Sequence, residues 1–172
     1  GLAQKMGLLV TQEHCSPFGV GMFFHAPRPG FRYSFSENAE VFLRVWEDYM
    51  SRYPRPENVI WTLGHRGRDD RGFWFDDAGM PANPTDAQKA AVINRVLRAQ
   101  MDLVRRKYGQ HDPVFIHNLW MEGVRLFREG HVKPPEGTIV VWADNGYGSF
   151  RAMLAAGCDA SQMCSSLPPR KT

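Results

Sequence analysis

Four short apolar runs, each passing into polar residues and then into a stretch of helical periodicity, constrain this chain more than any other feature. They are Leu8 to Thr11, Val59 to Leu63, Val114 to His117 and Thr138 to Trp142. Runs this short, continuous and rich in branched side chains suit strands covered on both faces, as in a parallel sheet. The segments between them are helical. Apolar residues at Val41, Phe42, Val45, Trp46, Tyr49, Met50 and Tyr53 share one side of a helix over 38–53, which Pro54 and Pro56 terminate. Thr85 and Gln88 form a capping box just after Pro84, and Ala91, Val92, Val96, Leu97, Leu103 and Val104 supply the buried face of the helix that follows. A third helix is expected over 120–128, with Gly130 as its left-handed stop, and a short fourth over 150–156.

Strand and helix thus alternate four times, and right-handed crossovers into a parallel α/β sheet are the simplest way to join them. A doubly wound sheet would be helped by a glycine-rich phosphate loop after its first strand, and no such loop follows any strand. Polar residues instead gather after several different strands, where a barrel keeps its functional groups. The expected fold is therefore a partial (β/α)8 barrel of the TIM type, with about four βα units of parallel sheet against the roughly 250 residues of a complete barrel. The barrel segment covers residues 1–156, and residues 157–172 form an irregular tail. Gly1 to Lys5 has the character of a helix end, so an upstream portion is expected.

Bulk properties narrow the partners. Lysine and arginine number 21 against 18 acidic residues, giving +3 spread along the chain, so no dense basic face is offered to a nucleic acid. No apolar run approaches the roughly 20 residues of a bilayer span, so no membrane partner is expected. Cys15, Cys158 and Cys164 are too few and too unevenly placed for a disulfide framework or a four-ligand zinc site; Cys158 and Cys164 could pair, and unpaired thiols are the expectation.

The strand ends would present Glu13 and His14, then His65, Arg66, Asp69 and Asp70, then His117, Asn118, Trp120 and Glu122, and last Asp144 and Asn145. Such a set suits hydrolysis of a glycosidic bond, in which one carboxyl group protonates the leaving oxygen and another activates water. Asp70, in an arginine-rich loop, fits the ionised partner; Glu122, after Trp120 and Met121, fits the acid if their apolar surface encloses it. Arg66 could grip a substrate carboxylate in fork geometry. Trp74, Trp120 and Tyr147 lie beyond strand ends and suit sugar stacking, whereas Trp46, Trp61 and Trp142 suit the core. Each residue also has a plainer reading. Asp69 and Asp70 fit a turn with surface ion pairs to Arg66, Arg68 or Arg71. Glu122 could serve only the helix dipole, His14 and His117 the core, and Asp144 a helix cap.

The strand and loop Gly7-Leu8-Leu9-Val10-Thr11 to His14-Cys15-Ser16-Pro17, the segment Gly64-His65-Arg66-Gly67-Arg68-Asp69-Asp70, Glu122 with Phe127 and Gly130, and Val141-Trp142-Ala143-Asp144-Asn145-Gly146-Tyr147-Gly148 through Arg151 follow one another in order. They resemble successive blocks of glycoside hydrolase family 115, the xylan α-1,2-glucuronidases. The resemblance implies an inverting enzyme that removes glucuronic acid or its 4-O-methyl ether from glucuronoxylan, with no metal or organic cofactor, in a secreted or periplasmic and homodimeric parent. It implies Glu122 as the acid, Asp70 or Asp69 as the base, and His14, Asn38 and Arg66 as substrate contacts. Three positions depart from the family pattern: His-Arg-Glu-Pro is His14-Cys15-Ser16-Pro17, the lysine before the acid is Met121, and the aspartate two residues before Asp70 is Arg68.

Two other functions fit the same residues. His14, His65, His117 and Asp144 could ligate a divalent metal as in barrel metallohydrolases, although no H-x-H or H-E-x-x-H spacing is present. A non-catalytic carbohydrate-binding domain would use the aromatic residues alone.

Overall fold

Main-chain pairing puts four strands in one parallel sheet in the order β1-β2-β3-β4, each beside its neighbour in sequence. The computed structural model describes residues 2–12, 15, 17–19 and 33–142. Helix α1 (Leu2–Lys5) leads to β1 (Val10–Thr11), α2 (Phe35–Met50) to β2 (Val59–Leu63), α3 (Asp86–Tyr108) to β3 (Val114–Leu119), and α4 (Glu122–Arg128) to β4 (Thr138–Trp142). A doubly wound sheet reverses its strand order at a switch point, whereas consecutive barrel units add each strand beside the last. The strand order is that of four successive (β/α) barrel units. The expected helix over 150–156 and the tail over 157–172 lie outside the described residues.

Three boundaries differ from expectation, each for a local reason. Leu8 and Leu9 are exposed rather than part of a buried strand, because β1 pairs with β2 over two residues only, Val10 with Val59 and Thr11 with Ile60. Gln12 then prolongs that contact with its side chain: its Oε1 accepts from the Thr62 N–H (3.2 Å) and its carbonyl from the Thr62 hydroxyl (2.9 Å). Helix α2 starts at Phe35, since the Ser34 hydroxyl accepts from the Glu37 N–H at 3.1 Å, and stops at Met50. Strand β3 runs on to Leu119 because β4 pairs along it as far as Leu119 with Trp142. Asn118 and Leu119 are thus strand residues and not loop residues.

Helix α3 opens on the expected capping box of Thr85 and Gln88, and Gly130 (φ +76°) takes the left-handed turn expected after α4. Val96, Leu97, Met101 and Val104 of α3 bury against Trp61 and Leu63 of β2 and Phe42 and Trp46 of α2 in one core. Trp46 and Trp61 are buried as expected; Trp142 is half-buried, meeting Phe127 edge to face, because β4 has a strand neighbour on one side only among the described residues. No helix among the described residues is long and apolar enough to cross a membrane.

Candidate active site

The exits of β2 and β3 are adjacent, and between them opens a cleft continuous with solvent. Thr62, His65 and Arg66 line it from the β2 side; His117, Asn118, Trp120 and Glu122 line it from the β3 side, with Trp74 at its edge.

Arg66 organises the charge. Its Nε donates to Asp70 Oδ1 at 2.8 Å, its Nη2 to the Asp70 carbonyl and its Nη1 to Glu122 Oε1. Two carboxylates 52 residues apart in sequence are thereby brought within the span of one guanidinium. The Arg66 side chain is 12% exposed and those of Asp70 and Glu122 22% each, so the triad is largely withdrawn from water. This departs from expectation in two respects. Met121 is exposed and Glu122 meets Arg66 instead of lying in an apolar enclosure, because Glu122 opens α4 and faces the β2 exit. Arg66, expected to await a substrate carboxylate, already holds two carboxylates of the protein.

Backbone conformation marks the same two places. Asp69 (φ 53°) and Asp70 (φ 59°) are consecutive left-handed residues, and Met121 (φ 47°, ψ −119°), directly before Glu122, lies where a bulky side chain is rarely found. Strain of this kind persists where the surroundings over-determine it and clusters at functional sites. Asp69 and Asp70 also part company. Asp70 is half-buried against Arg66, and Asp69 is exposed. The other acids of the loop are structural: Asp76 accepts from the Arg68 N–H (2.6 Å) and pairs with Arg71, and buried Asp77 accepts from the Gly79 N–H (2.9 Å) and the Ser36 hydroxyl (3.3 Å).

Two buried histidines flank the triad. His65 lies among Tyr33, Phe35, Phe42 and Phe73, with the Phe73 ring centroid 4.6 Å away. Its pKa is lowered to about 4, chiefly by burial, with Asp77 opposing the shift and the Arg66 charge adding to it. It is therefore neutral at pH 7, and its buried Nε2 has no hydrogen-bond partner among the described residues. His117 donates from Nδ1 to the Leu63 carbonyl at 2.9 Å, and burial lowers its pKa as well. That bond fixes the neutral ring with Nε2 as an acceptor.

Of the remaining expected contacts, Asn38 is half-buried on α2, does not line the cleft, and breaks regular helix geometry (φ −126°, ψ 37°). His14, Asp144, Asn145 and Tyr147 lie outside the described residues. Among the described residues no three or more His, Cys, Asp or Glu side chains converge as a metal site would require. Reading the sequence missed Gln100, which bonds the main chain beside His65; its signal was a polar residue inside the apolar stripe of α3. Tyr33, whose hydroxyl donates to the Arg66 carbonyl and whose pKa is raised chiefly by burial, carried no signal, because its segment shows no periodicity.

Consecutive parallel strands with charged residues on adjacent exit loops are the arrangement of a (β/α)-barrel unit, the class whose enzymes keep their sites at the carboxyl ends of the strands. Comparison with curated proteins gives no match. The family model of glycosyl hydrolase family 115 matches residues 1–163, and the chain belongs to that family of glycoside hydrolases.

Proposed function

We propose that this chain supplies part of the active site of an α-1,2-glucuronidase that removes glucuronic acid or its 4-O-methyl ether from glucuronoxylan with inversion. The observation that carries the reading is the Asp70–Arg66–Glu122 triad across the exits of neighbouring strands. In the reaction Glu122 protonates the glycosidic oxygen as the bond to the anomeric carbon breaks. Asp70 takes a proton from the water that attacks the opposite face of the ring.

A uronic acid brings a carboxylate of its own, and Arg66 is the cation at the site that can receive it in fork geometry. Binding would then exchange one of the guanidinium's partners for the substrate's carboxylate, releasing a protein carboxyl group for proton transfer. His117 Nε2 accepts from a sugar hydroxyl, and Trp120 and Trp74 offer apolar ring faces to the sugar.

The test is replacement of each carboxyl group in the complete enzyme, with glucuronoxylan or an acidic xylo-oligosaccharide as substrate. Glu122→Gln and Asp70→Asn should each lower kcat by about 10²-fold or more, with circular dichroism unchanged. Near-normal turnover in either variant removes that residue from the mechanism. Proton NMR of the first-released sugar reads the anomer directly, and retention would refute inversion.

A further inference from the structure

We propose that Gln100 is a positioning residue whose buried side-chain amide, bonded to both main-chain groups of Gly64, directs the chain out of β2 and thereby places Arg66 between Asp70 and Glu122. The role in turnover rests on the glycosidase reading above; the role in placing the loop does not.

Gln100 occupies an apolar stripe of α3, between Val96 and Leu97 on one side and Val104 on the other, and is 1% exposed. Its Nε2 donates to the Gly64 carbonyl and its Oε1 accepts from the Gly64 N–H, both at 2.9 Å. Gly64 is the first residue past β2, where sheet pairing ends and two buried main-chain groups would otherwise lack partners. The amide thus acts as one further strand residue, supplied by a helix.

Neighbouring groups are fastened in the same way. His117 holds the Leu63 carbonyl and Tyr33 the Arg66 carbonyl. On another side, a Cβ added to Gly64 would stand 2.9 Å from Pro17 Cγ, so the chain has no room to shift that way. The exit of β2 is therefore held by side chains from β3, from α3 and from the segment before α2. Gln100 alone among them bonds two main-chain groups of one residue. Arg66 follows two residues later, and a reacting group displaced by about 1 Å loses about 10²-fold in rate.

The experiment compares Gln100→Met and Gln100→Glu with the parent in the complete enzyme. Methionine keeps the volume and removes both bonds; kcat should fall about 10-fold to 10²-fold with KM little changed. The introduced glutamate, when ionised, accepts from the Gly64 N–H but cannot donate to its carbonyl, and when protonated it does both. Activity of Gln100→Glu relative to the parent should therefore rise as pH is lowered, and it should do so over a range in which circular dichroism shows the variant fully folded throughout, which separates positioning from the loss of stability that a buried carboxylate also brings as pH rises. Should Gln100→Met fail to fold, the pH response of Gln100→Glu decides.

Amide hydrogen exchange at Gly64, His65 and Arg66 supplies a readout independent of catalysis. Faster exchange there in the variants supports positioning even if the parent proves inactive on glucuronoxylan, an outcome that would sink only the glycosidase reading. Unchanged exchange at those amides overturns the proposal, as do parental kcat and pH profile in variants whose only change is a lower Tm.

Discussion

Replacing Arg66 by methionine removes the guanidinium that, among the described residues, joins Asp70 to Glu122. Both carboxylates are only about a fifth exposed, at 22% each, so water compensates the lost guanidinium poorly. Breaking a fully buried ion pair costs about 3 to 5 kcal/mol; partial exposure reduces that to about 2 to 4 kcal/mol here. Most of the cost is the charge left behind rather than the bond removed. A double-mutant cycle isolates it: with Glu122→Gln already present, Arg66→Met takes the guanidinium from one carboxylate instead of two. The double variant should therefore be more stable than the sum of the single losses by about 1 to 3 kcal/mol. Urea unfolding followed by tryptophan fluorescence, with unchanged m-values, measures all four corners. High salt should leave most of the coupling in place, because screening acts weakly on enclosed pairs. Coupling below about 0.5 kcal/mol would refute the argument, showing that Arg66 and Glu122 do not meet in solution.

Three further outcomes follow from the same geometry. His65, with a pKa lowered to about 4 by burial, binds fewer protons folded than unfolded between pH 4 and 6.5. Its contribution is complete above pH 6.5 and is lost as pH falls towards 4, a total of about 3 kcal/mol. Urea midpoints across that range should show a shallower acid slope in His65→Leu, and an unchanged slope would contradict the assignment. Gly67→Ala should destabilise by about 1 to 3 kcal/mol, since the added Cβ would stand 2.4 Å from Asp76 Oδ2 and 3.0 Å from the Gly72 carbonyl; a parental Tm would show that the loop adapts freely. Thr85→Ala removes the capping box of α3 and should cost about 1 kcal/mol, read by thermal unfolding.

Much of the architecture was legible because it rests on local chemistry. The branched runs at Val59 to Leu63 and Thr138 to Trp142 could be covered strands without conflict, and Thr85 with Gln88 could start a helix in isolation. The alternation of such segments with helices sufficed for a parallel sheet, and the polar residues after the strands pointed to a candidate site there. Boundaries that depend on a partner were not legible. Nothing local says that β3 runs to Leu119, because β4 stabilises those last residues. Nor does anything local say that Leu8 and Leu9 stay outside β1, since that depends on where β2 can pair.

The sequence by itself determined which carboxyl groups and which arginine follow which strands, because strand identity and loop content are read along the chain. Only the tertiary structure decided their relations. It separated exposed Asp69 from Asp70, set Arg66 between Asp70 and Glu122, and turned Gln100 from an anomaly in an apolar stripe into a bond at the exit of β2. Those relations join residues tens of positions apart. Parallel pairing of β2 with β3 and the packing of α3 against the sheet bring them together, and neither leaves a mark in local periodicity.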